Sequence, residues 1–333
     1  MKYINPQARN QAGLTLVEIM VALTLSLILL GGVIQIMTSS KQTYRVGDSV
    51  SRMQENARFA MEFLSRDIRM AGFWGCGQFS GTNNLLNPGG ANYVDLLSNA
   101  GVTGADGGGT APDSITLTGA YDTGLAILPN GAGNYGPLAS SDLKVAAGND
   151  LQQGDIVLVS DCNGGDIFQI SNANPGNGTI VHNTGNATQP GNFNAGGGCG
   201  GGNAHCLSKV YRGDATLYRL RRITYSIAPG GSGEPALFRN DGAANLELVD
   251  GVENMQIVYG EDTDGDGVAN YYVDAGSVGS MDNVVSVRVS LMIRSYRDNL
   301  TSAAQSLTYA GAVFMAPDRR LRQVYTTTVA IRN

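Results

Sequence analysis

Residues 14–36 read LTLVEIMVALTLSLILLGGVIQI, an apolar run of 23 residues that decides the fold. At about 1.5 Å per residue, a helix of this length crosses a hydrocarbon core of about 30 Å. Residues 1–13 carry Lys2 and Arg9 but no acid, which predicts that they stay on the cytoplasmic side. No small-residue cleavage site follows the run, which disfavours an ordinary secretory signal. The sequence therefore predicts a membrane-spanning helix near the N-terminus.

Glu18 is the one carboxylate inside this apolar run. A charged side chain in the membrane costs about 2.5–3.5 kcal/mol on insertion scales, so it needs a partner. Cleavage between Gly13 and Leu14 would create an α-ammonium about one helical turn from Glu18. Pairing with that cation, within one subunit or between two, would offset the desolvation of the carboxylate. We therefore predict that Glu18 pairs with an N-terminal amine.

The helix is predicted to continue beyond the membrane as an amphipathic segment. Apolar residues recur every three or four positions along one face, at Val46, Val50, Met53, Ala57, Ala60, Leu64 and Ile68. The opposite face carries the charges of Arg52, Glu55, Arg58, Glu62, Arg66 and Arg69. The pattern predicts a single spine over residues 14–72, with 14–40 in the membrane and 41–72 holding a globular head.

The head, residues 73–333, is predicted to be rich in β-strands. Short β-branched runs bounded by Gly, Asn and Asp predict strands at residues 114–118, 155–159, 167–170, 255–259, 285–294 and about 324–331. One helix followed by many strands, with no further helical pattern, predicts an α+β fold in which an antiparallel sheet packs on the spine. The 46 glycines of the chain predict long loops, above all in Gly/Asn-rich inserts at about 80–110 and 172–205.

The N-terminal pattern resembles a known targeting signal. Gly13, Leu14 and Glu18, followed by an apolar helix, resemble the class III signal of type IV pilins and type II secretion pseudopilins. The resemblance implies that a prepilin peptidase cleaves after Gly13 and methylates the amine of Leu14, where the family usually has Phe. It also implies that Glu18 docks the subunit onto its neighbour in a filament. A plain membrane anchor with a stray acid is the alternative.

Segments of the head resemble the PilW family of minor type IV pilins. The segments are PDSITLTGAYD (112–122), GDIVLVSDCNGGDIFQIS (154–171), RRITYSIAPGGSGEPALFRN (221–240), GVENMQIVYGEDTDGDGVANYYVDA (251–275) and RRLRQVYTTTVAIRN (319–333). The resemblance implies a pilin-like fold and a structural subunit that primes pilus assembly and sits in the tip complex, supporting twitching motility and adhesion. The Gly/Asn-rich inserts resemble nothing that assigns them a role.

The same resemblance implies partners and a location. The partners are other minor pilins, the major pilin, a tip adhesin and the prepilin peptidase. The chain would span the inner membrane once, with its head in the periplasm, and would then move into the pilus at the cell surface. Two alternatives stay open: a minor pseudopilin of the J type in type II secretion, and a membrane-anchored periplasmic domain that binds or hydrolyses a ligand.

Four cysteines in an exported head predict disulfides. Cys199 and Cys206 enclose a short loop and are paired on that ground, which leaves Cys76 with Cys162, one of three possible connectivities. A zinc site from Cys199, His205, Cys206 and His182 is the alternative, but the spacing fits no standard zinc pattern.

An acidic loop predicts a calcium site. Asp262, Asp264 and Asp266 alternate and Gly267 is sixth, as in the first half of an EF-hand loop. Val273 stands where that loop has its bidentate Glu, but further oxygens are available from the Val268 carbonyl, the Asn270 side chain and the Asp274 carboxylate. The loop is predicted to join two strands, 255–259 and 271–273, so calcium would be structural. The alternative is a solvated hairpin turn without metal.

Other functional classes have little support. The net charge of −6 and pI of about 4.9 disfavour a general nucleic-acid binder, and no specific nucleic-acid partner is predicted. Only two histidines and no recognisable nucleophile or phosphate-binding motif occur, so the chain is predicted not to be an enzyme and no catalytic residue is assigned. We predict that the arginines of the head make intramolecular ion pairs or lie on a solvated strand face, at Arg212, Arg219, Arg221, Arg222, Arg319, Arg320 and Arg322.

Overall fold

The structure is a computed structural model of the 333-residue chain. It describes residues 13–75, 81–97, 101–135, 142–184, 188–193, 206–242 and 244–331. The architecture is α+β, with one long N-terminal helix packed against β-sheets that are almost wholly antiparallel.

Helix α1 runs over Leu16–Met70, 55 residues without interruption, and lies within the predicted range of 14–72. It passes through Gly31 and Gly32 without a break, and a Cβ at either position would meet no atom within 4 Å. The helix ends at Ala71, which has an extended backbone conformation. The sequence therefore correctly predicts one continuous spine.

Seventeen strands are found in the described residues. They are β1 (Thr82–Asn84), β2 (Val102–Ala105), β3 (Ser114–Ala126), β4 (Asp142–Lys144), β5 (Ile156–Ser160), β6 (Gly165–Gln169), β7 (Asn172–Asn174), β8 (Thr179–Val181), β9 (Thr216–Pro229), β10 (Pro235–Asn240), β11 (Asn245–Asp250), β12 (Val252–Glu261), β13 (Tyr271–Val273), β14 (Val284–Arg294), β15 (Ser306–Tyr309), β16 (Ala312–Met315) and β17 (Arg322–Ala330). A 3-10 turn, Met281–Asn283, precedes β14.

The larger sheet has eight strands in the described part of the chain. Its main path is β1-β6-β5-β9-β10-β11, and β3 pairs with both β2 and β9. The long strand β9 connects the sheet, because it pairs with β3 over residues 216–225, with β5 over 216–219 and with β10 over 224–229. Only the three-residue pairing of β1 with β6 is parallel, in a part of the head that begins within a Gly/Asn-rich insert.

The second sheet has four strands in the order β13-β12-β14-β17. Its central strand β14 places Val287, Val289, Leu291 and Ile293 in the core beneath α1, as the alternation of residues 285–294 predicts. The alternation does not extend to Val285, which is only partly buried; Val284 takes its place in the core, where the pairing with β12 shifts register. Strand β17 pairs with β14 over nine consecutive residues without a register shift. Two small sheets, β15-β16 and β4-β8-β7, complete the described strands.

The main core lies where the second half of α1 meets both larger sheets. Met53, Ala57, Ala60, Leu64 and Ile68 of the predicted stripe are all buried in it. They pack with residues of β3, β9, β12, β14 and β17, which include Ile115, Ile223, Ile257, Val289 and Val329. The amphipathic period of the sequence therefore correctly predicts the face by which the spine holds the head.

The C-terminal end of α1 is fastened to the edge of β3. Gly72 N donates to Thr118 O at 2.9 Å, and Ala120 N donates to Phe73 O at 2.7 Å. A Cβ at Gly119 would lie 2.3 Å from Met70 O, so only glycine allows this approach. The spine and the larger sheet are therefore joined by main-chain hydrogen bonds as well as by side-chain packing.

Candidate functional site

The N-terminal turn of α1 is closed by Thr15 and Glu18. Thr15 N and Thr15 Oγ1 donate to Glu18 Oε2 at 2.9 and 2.8 Å, and Glu18 N donates to Thr15 Oγ1 at 3.3 Å. This reciprocal arrangement is a capping box, which satisfies donors that the first helical turn otherwise leaves unpaired. The role of Thr15 was missed from the sequence, although its spacing of three residues from Glu18 is the signature of that motif.

Gly13 and Leu14, the predicted cleavage and methylation positions, lie just before this turn in non-helical backbone. Leu14 is exposed, with 75% of its surface accessible. Residues 1–12 of the predicted leader lie outside the described residues. The predicted bond to be cleaved is therefore adjacent to a capped helix start.

The first half of α1 carries an exposed apolar surface. By length and composition α1 is the one described helix that could cross a membrane, and its most apolar window is not buried at all. Large apolar side chains are exposed on every side of this half, among them Leu16, Val17, Met20, Leu23, Leu25, Leu27, Ile28, Leu29, Leu30, Val33, Ile34, Ile36 and Met37. A helix that is apolar all round needs lipid or other helices around it.

Asp67 joins the spine to the head through a buried ion pair. Its carboxylate is 1% exposed, and Oδ2 accepts hydrogen bonds from Tyr225 Oη at 2.7 Å and from Arg239 Nε at 2.9 Å. The donors come from β9 and β10, so these hydrogen bonds attach the larger sheet to the helix at this point. Burial and the nearby Asp67 charge raise the pKa of Tyr121 to about 12. The same causes raise the pKa of Tyr225.

The acidic loop joins β12 to β13, as predicted, since Glu261 pairs with Tyr271. One carboxylate oxygen from each of Asp262, Asp264 and Asp266 lies within 4.8 Å of the others. Asp262 is the buried member, whereas Asp264 and Asp266 are exposed. The structure therefore brings together the three aspartates that the sequence singled out.

Main-chain donors already surround the Asp262 carboxylate. It accepts from Gly267 N and Gly265 N at 2.7 Å each and from Asp264 N at 3.2 Å. These bonds, that from Gly267 above all, lower the pKa of Asp262. An ionised carboxylate has about four lone-pair positions, so these contacts leave room for a cation. The donor set, all oxygens, fits Ca²⁺.

The remaining predicted ligands are arranged differently. Asn270 Oδ1 accepts from Thr263 N at 2.7 Å and from Thr263 Oγ1 at 3.0 Å, so its oxygen is already engaged. Val268 lies beside the cluster through its N–H, which donates to Asp266 Oδ1 at 2.8 Å. Asp274 is not in the group of three carboxylates. Only part of the predicted ligand set therefore converges.

Cysteine pairing stays a prediction. Among the described residues neither Cys162 nor Cys206 is a free thiol. Each predicted pair includes a residue outside the described ranges, Cys76 in one and Cys199 in the other. The alternative zinc set also falls there in part, through Cys199 and His205.

Several arginines of the head form intramolecular ion pairs, as predicted. Arg322 contacts Glu253 and Asp318 at 2.6 and 2.5 Å, and Arg320 contacts Glu234 at 3.0 Å. Arg219 contacts Asp150 at 3.1 Å and Asp155 at 3.2 Å. These pairs engage three of the seven arginines, and those of Arg320 and Arg322 tie the start of β17 to its neighbours.

Comparison with known proteins agrees with these features at both ends of the chain. Residues 224–333, about a third of the chain, match the family described as Type IV Pilus-assembly protein W, PilW. Residues 8–34 match the Prokaryotic N-terminal methylation motif. Over residues 224–333 the chain is similar to the PilW family. No curated protein and no solved structure matches it significantly.

The PilW match begins within β9 and contains all of β12, β13, β14 and β17, so it covers the whole four-stranded sheet and the acidic loop. The methylation motif contains Gly13, Leu14 and Glu18. The matched family is described as a pilus assembly protein. The motif and the apolar helix indicate a membrane-anchored pilin before assembly. The expected prepilin-type N-terminus is therefore confirmed. The PilW resemblance is confirmed over residues 224–333, whereas the segments 112–122 and 154–171 lie outside the match.

Proposed function

We propose that this chain is a minor pilin of the PilW type that primes type IV pilus assembly and sits in the tip complex, supporting twitching motility and adhesion. The observation that carries the proposal is the division of α1 into an exposed apolar half and a half buried in the head. A helix with an exposed apolar half leaves the membrane only where other apolar helices replace the lipid around it. A filament of parallel spines provides that environment.

The proposed partners follow from this arrangement. Other minor pilins and the major pilin would surround the exposed half of α1, and a tip adhesin would contact the head. A prepilin peptidase would act first, at the bond between Gly13 and Leu14. Before assembly the head would lie in the periplasm, with α1 in the inner membrane, and after assembly the chain would be on the cell surface.

Glu18 would set the register of the spine among its neighbours. In the uncleaved chain its carboxylate is held by Thr15. After cleavage, the amine of a neighbouring subunit is a stronger partner, because a cation adds charge attraction to the hydrogen bond. Docking would then exchange the contacts with Thr15 for an intermolecular ion pair, at the one position along the helix where a carboxylate is found in the apolar half.

The test measures processing and incorporation separately in cells. Glu18→Ala should be cut after Gly13, as read by mass spectrometry of the mature N-terminus. Its amount in sheared pili should fall about tenfold, equivalent to about 1.4 kcal/mol of lost docking energy. Glu62→Ala, an exposed glutamate of the same helix outside the apolar half, is the matched control and should be incorporated normally.

Three results would contradict the proposal. An intact leader in mature cells would remove the cleavage step, and normal incorporation of Glu18→Ala would remove the register role. Loss of secreted enzymes with intact pili, on deletion of the chain, would assign it to type II secretion.

We also propose that Ca²⁺ binds the loop of Asp262, Asp264 and Asp266 and stabilises the hairpin. The support is the convergence of three carboxylates within 4.8 Å, whose mutual repulsion a divalent cation would relieve. Calorimetric titration of the full chain in detergent should show binding that Asp264→Asn weakens. Asp282→Asn, outside the loop, is the control. Absence of heat from the unsubstituted chain would exclude the site.

A further inference from the structure

Strand β17 ends the four-stranded sheet and leaves one long edge unpaired in the described part of the chain. Ile331 N donates to Val285 O, which fixes the alternation of hydrogen bonds with β14. Odd-numbered residues from 323 to 329 therefore turn their main-chain groups towards β14. The N–H and C=O groups of Val324, Thr326, Thr328 and Ala330 point the other way, to the free edge.

This edge lacks the features that usually prevent strands from pairing with other chains. Such features are charged residues, bulges, proline and short length. Residues 323–330 read QVYTTTVA, with no charge and no proline, and the pairing of β17 with β14 has no bulge. Thr326, Thr328 and Ala330 are exposed. Among the described residues, the chain itself protects only the start of the edge, where Arg322 N donates to Gln305 Oε1 at 2.6 Å.

Other edges of the two larger sheets are protected. The edge strands β1, β2 and β13 are only three or four residues long. Strand β11 carries Glu247 and Asp250, and its pairing with β10 contains a register shift. The contrast singles out β17 as the edge that is left available.

We propose that the free edge of β17 binds an extended strand of a different pilus subunit, main chain to main chain. The alternating donors and acceptors at four positions are matched only by another extended backbone. The outward hydroxyls and methyls of Thr326 and Thr328 favour β-branched or hydroxyl residues opposite them, without a charge requirement. The partner strand would lengthen the four-stranded sheet to five.

The structure argues against a second copy of the chain as the occupant. Two copies joined antiparallel through this edge would be related by a two-fold axis normal to the sheet. The helix packs on one face of that sheet, since α1 contacts β14 and β17 and shares one core with them. The rotation would make the two spines point in opposite directions. Spines anchored in one membrane by their N-terminal halves point the same way.

The inference rests on the proposed role in pilus assembly, and its test uses the full chain in cells. Thr328→Pro removes an outward N–H without removing a hydrogen bond to β14, and edge strands tolerate proline at such positions. Thr328→Ala is the matched control, because both variants lose the hydrogen bond from Arg288 Nε to Thr328 Oγ1 at 3.1 Å. We expect Thr328→Pro to lower the amount of chain in sheared pili about tenfold, and Thr328→Ala to leave it unchanged.

A second position and a fold measurement keep the test decisive. Thr326→Pro should behave like Thr328→Pro, and both heads should resist protease as the unsubstituted head does. If proline unfolds the head, Thr326→Lys puts a charge beside the edge without altering the backbone and should give the same loss of incorporation. Normal incorporation of folded proline and lysine variants would overturn the proposal.

Further outcomes distinguish failure of the edge proposal from failure of the proposed function and from self-pairing of the chain. If deleting the chain leaves piliation unchanged, the proposed function itself fails. If deletion abolishes piliation and the Thr328→Pro variant, expressed in the deletion strain, restores it fully, only the edge proposal fails. Light scattering of the detergent-solubilised chain tests self-pairing: a dimer that Thr328→Pro converts to a monomer would make a second copy the occupant and overturn the proposal.

Discussion

The two halves of α1 are continuous in backbone but opposite in environment. In the first half, Leu27 has 66% of its surface exposed, whereas Leu64 in the second half has none. The second half finds its apolar partners in the sheets of its own head, and the first half finds none among the residues that the structure describes. The first half therefore needs lipid or the helices of other subunits around it, and the proposed assembly role supplies the second of these.

The difference also sets what substitutions in each half should do. Changes in the second half should alter the stability of the isolated chain. Changes in the first half should leave that stability unaltered and should act only where the chain meets lipid or other subunits. Unfolding of the full chain in detergent, followed by the fluorescence of the single tryptophan, Trp74, buried just beyond the end of α1, measures the first quantity.

The largest effect is expected from Asp67→Ala. It leaves Arg239 and the Tyr225 hydroxyl without their buried acceptor, and breaking a buried ion pair in this way costs about 3–5 kcal/mol. The measurement is the free energy of unfolding by urea. Asp48→Ala is the matched control on the same helix: its partner Arg52 is largely exposed, so the loss should be under about 0.5 kcal/mol. Equal effects of the two variants would show that Asp67 does not anchor the head.

The next effect is expected from Leu64→Ala. Truncation of a fully buried leucine leaves a cavity and should lower the free energy of unfolding by about 3 kcal/mol. Leu27→Ala makes the same chemical change in the exposed half and should leave unfolding of the head unchanged. Should Leu27→Ala destabilise the head as much as Leu64→Ala does, the separation of α1 into two environments would be wrong.

The spine illustrates what the sequence could predict. Its apolar run and its stripe have periods and lengths that need no knowledge of the rest of the fold. The strands β12 and β14 were likewise predictable, since alternation over residues 255–259 and 285–294 is long enough to be read locally. The three aspartates Asp262, Asp264 and Asp266 were found because their spacing in the loop is itself the signal.

The contacts of Asp67 could not be predicted from local sequence patterns. Its partners Tyr225 and Arg239 are 158 and 172 residues away in sequence, so no window contains both ends of the contact. A polar residue beside the apolar stripe of a helix is ordinarily solvated. The short strands β1, β7 and β8, of three residues each, were missed for a related reason, because so few residues show no period.

The smallest effect is expected from pH, and it again concerns the buried half of α1. The pKa of Tyr121 is raised to about 12 by burial and by the charge of Asp67, against about 10 in an unfolded chain. Because the folded state favours the neutral phenol, its contribution to stability is fully present below about pH 10 and is lost as the pH rises towards 12. Tyr121→Phe keeps the ring but cannot ionise. Between pH 9 and pH 11 the unfolding free energy of the Tyr121→Phe variant should fall by about 1 kcal/mol less than that of the unsubstituted chain. Identical losses in the two proteins would mean that Tyr121 titrates as it does when unfolded, and that the environment around Asp67 is more open to water than its burial indicates.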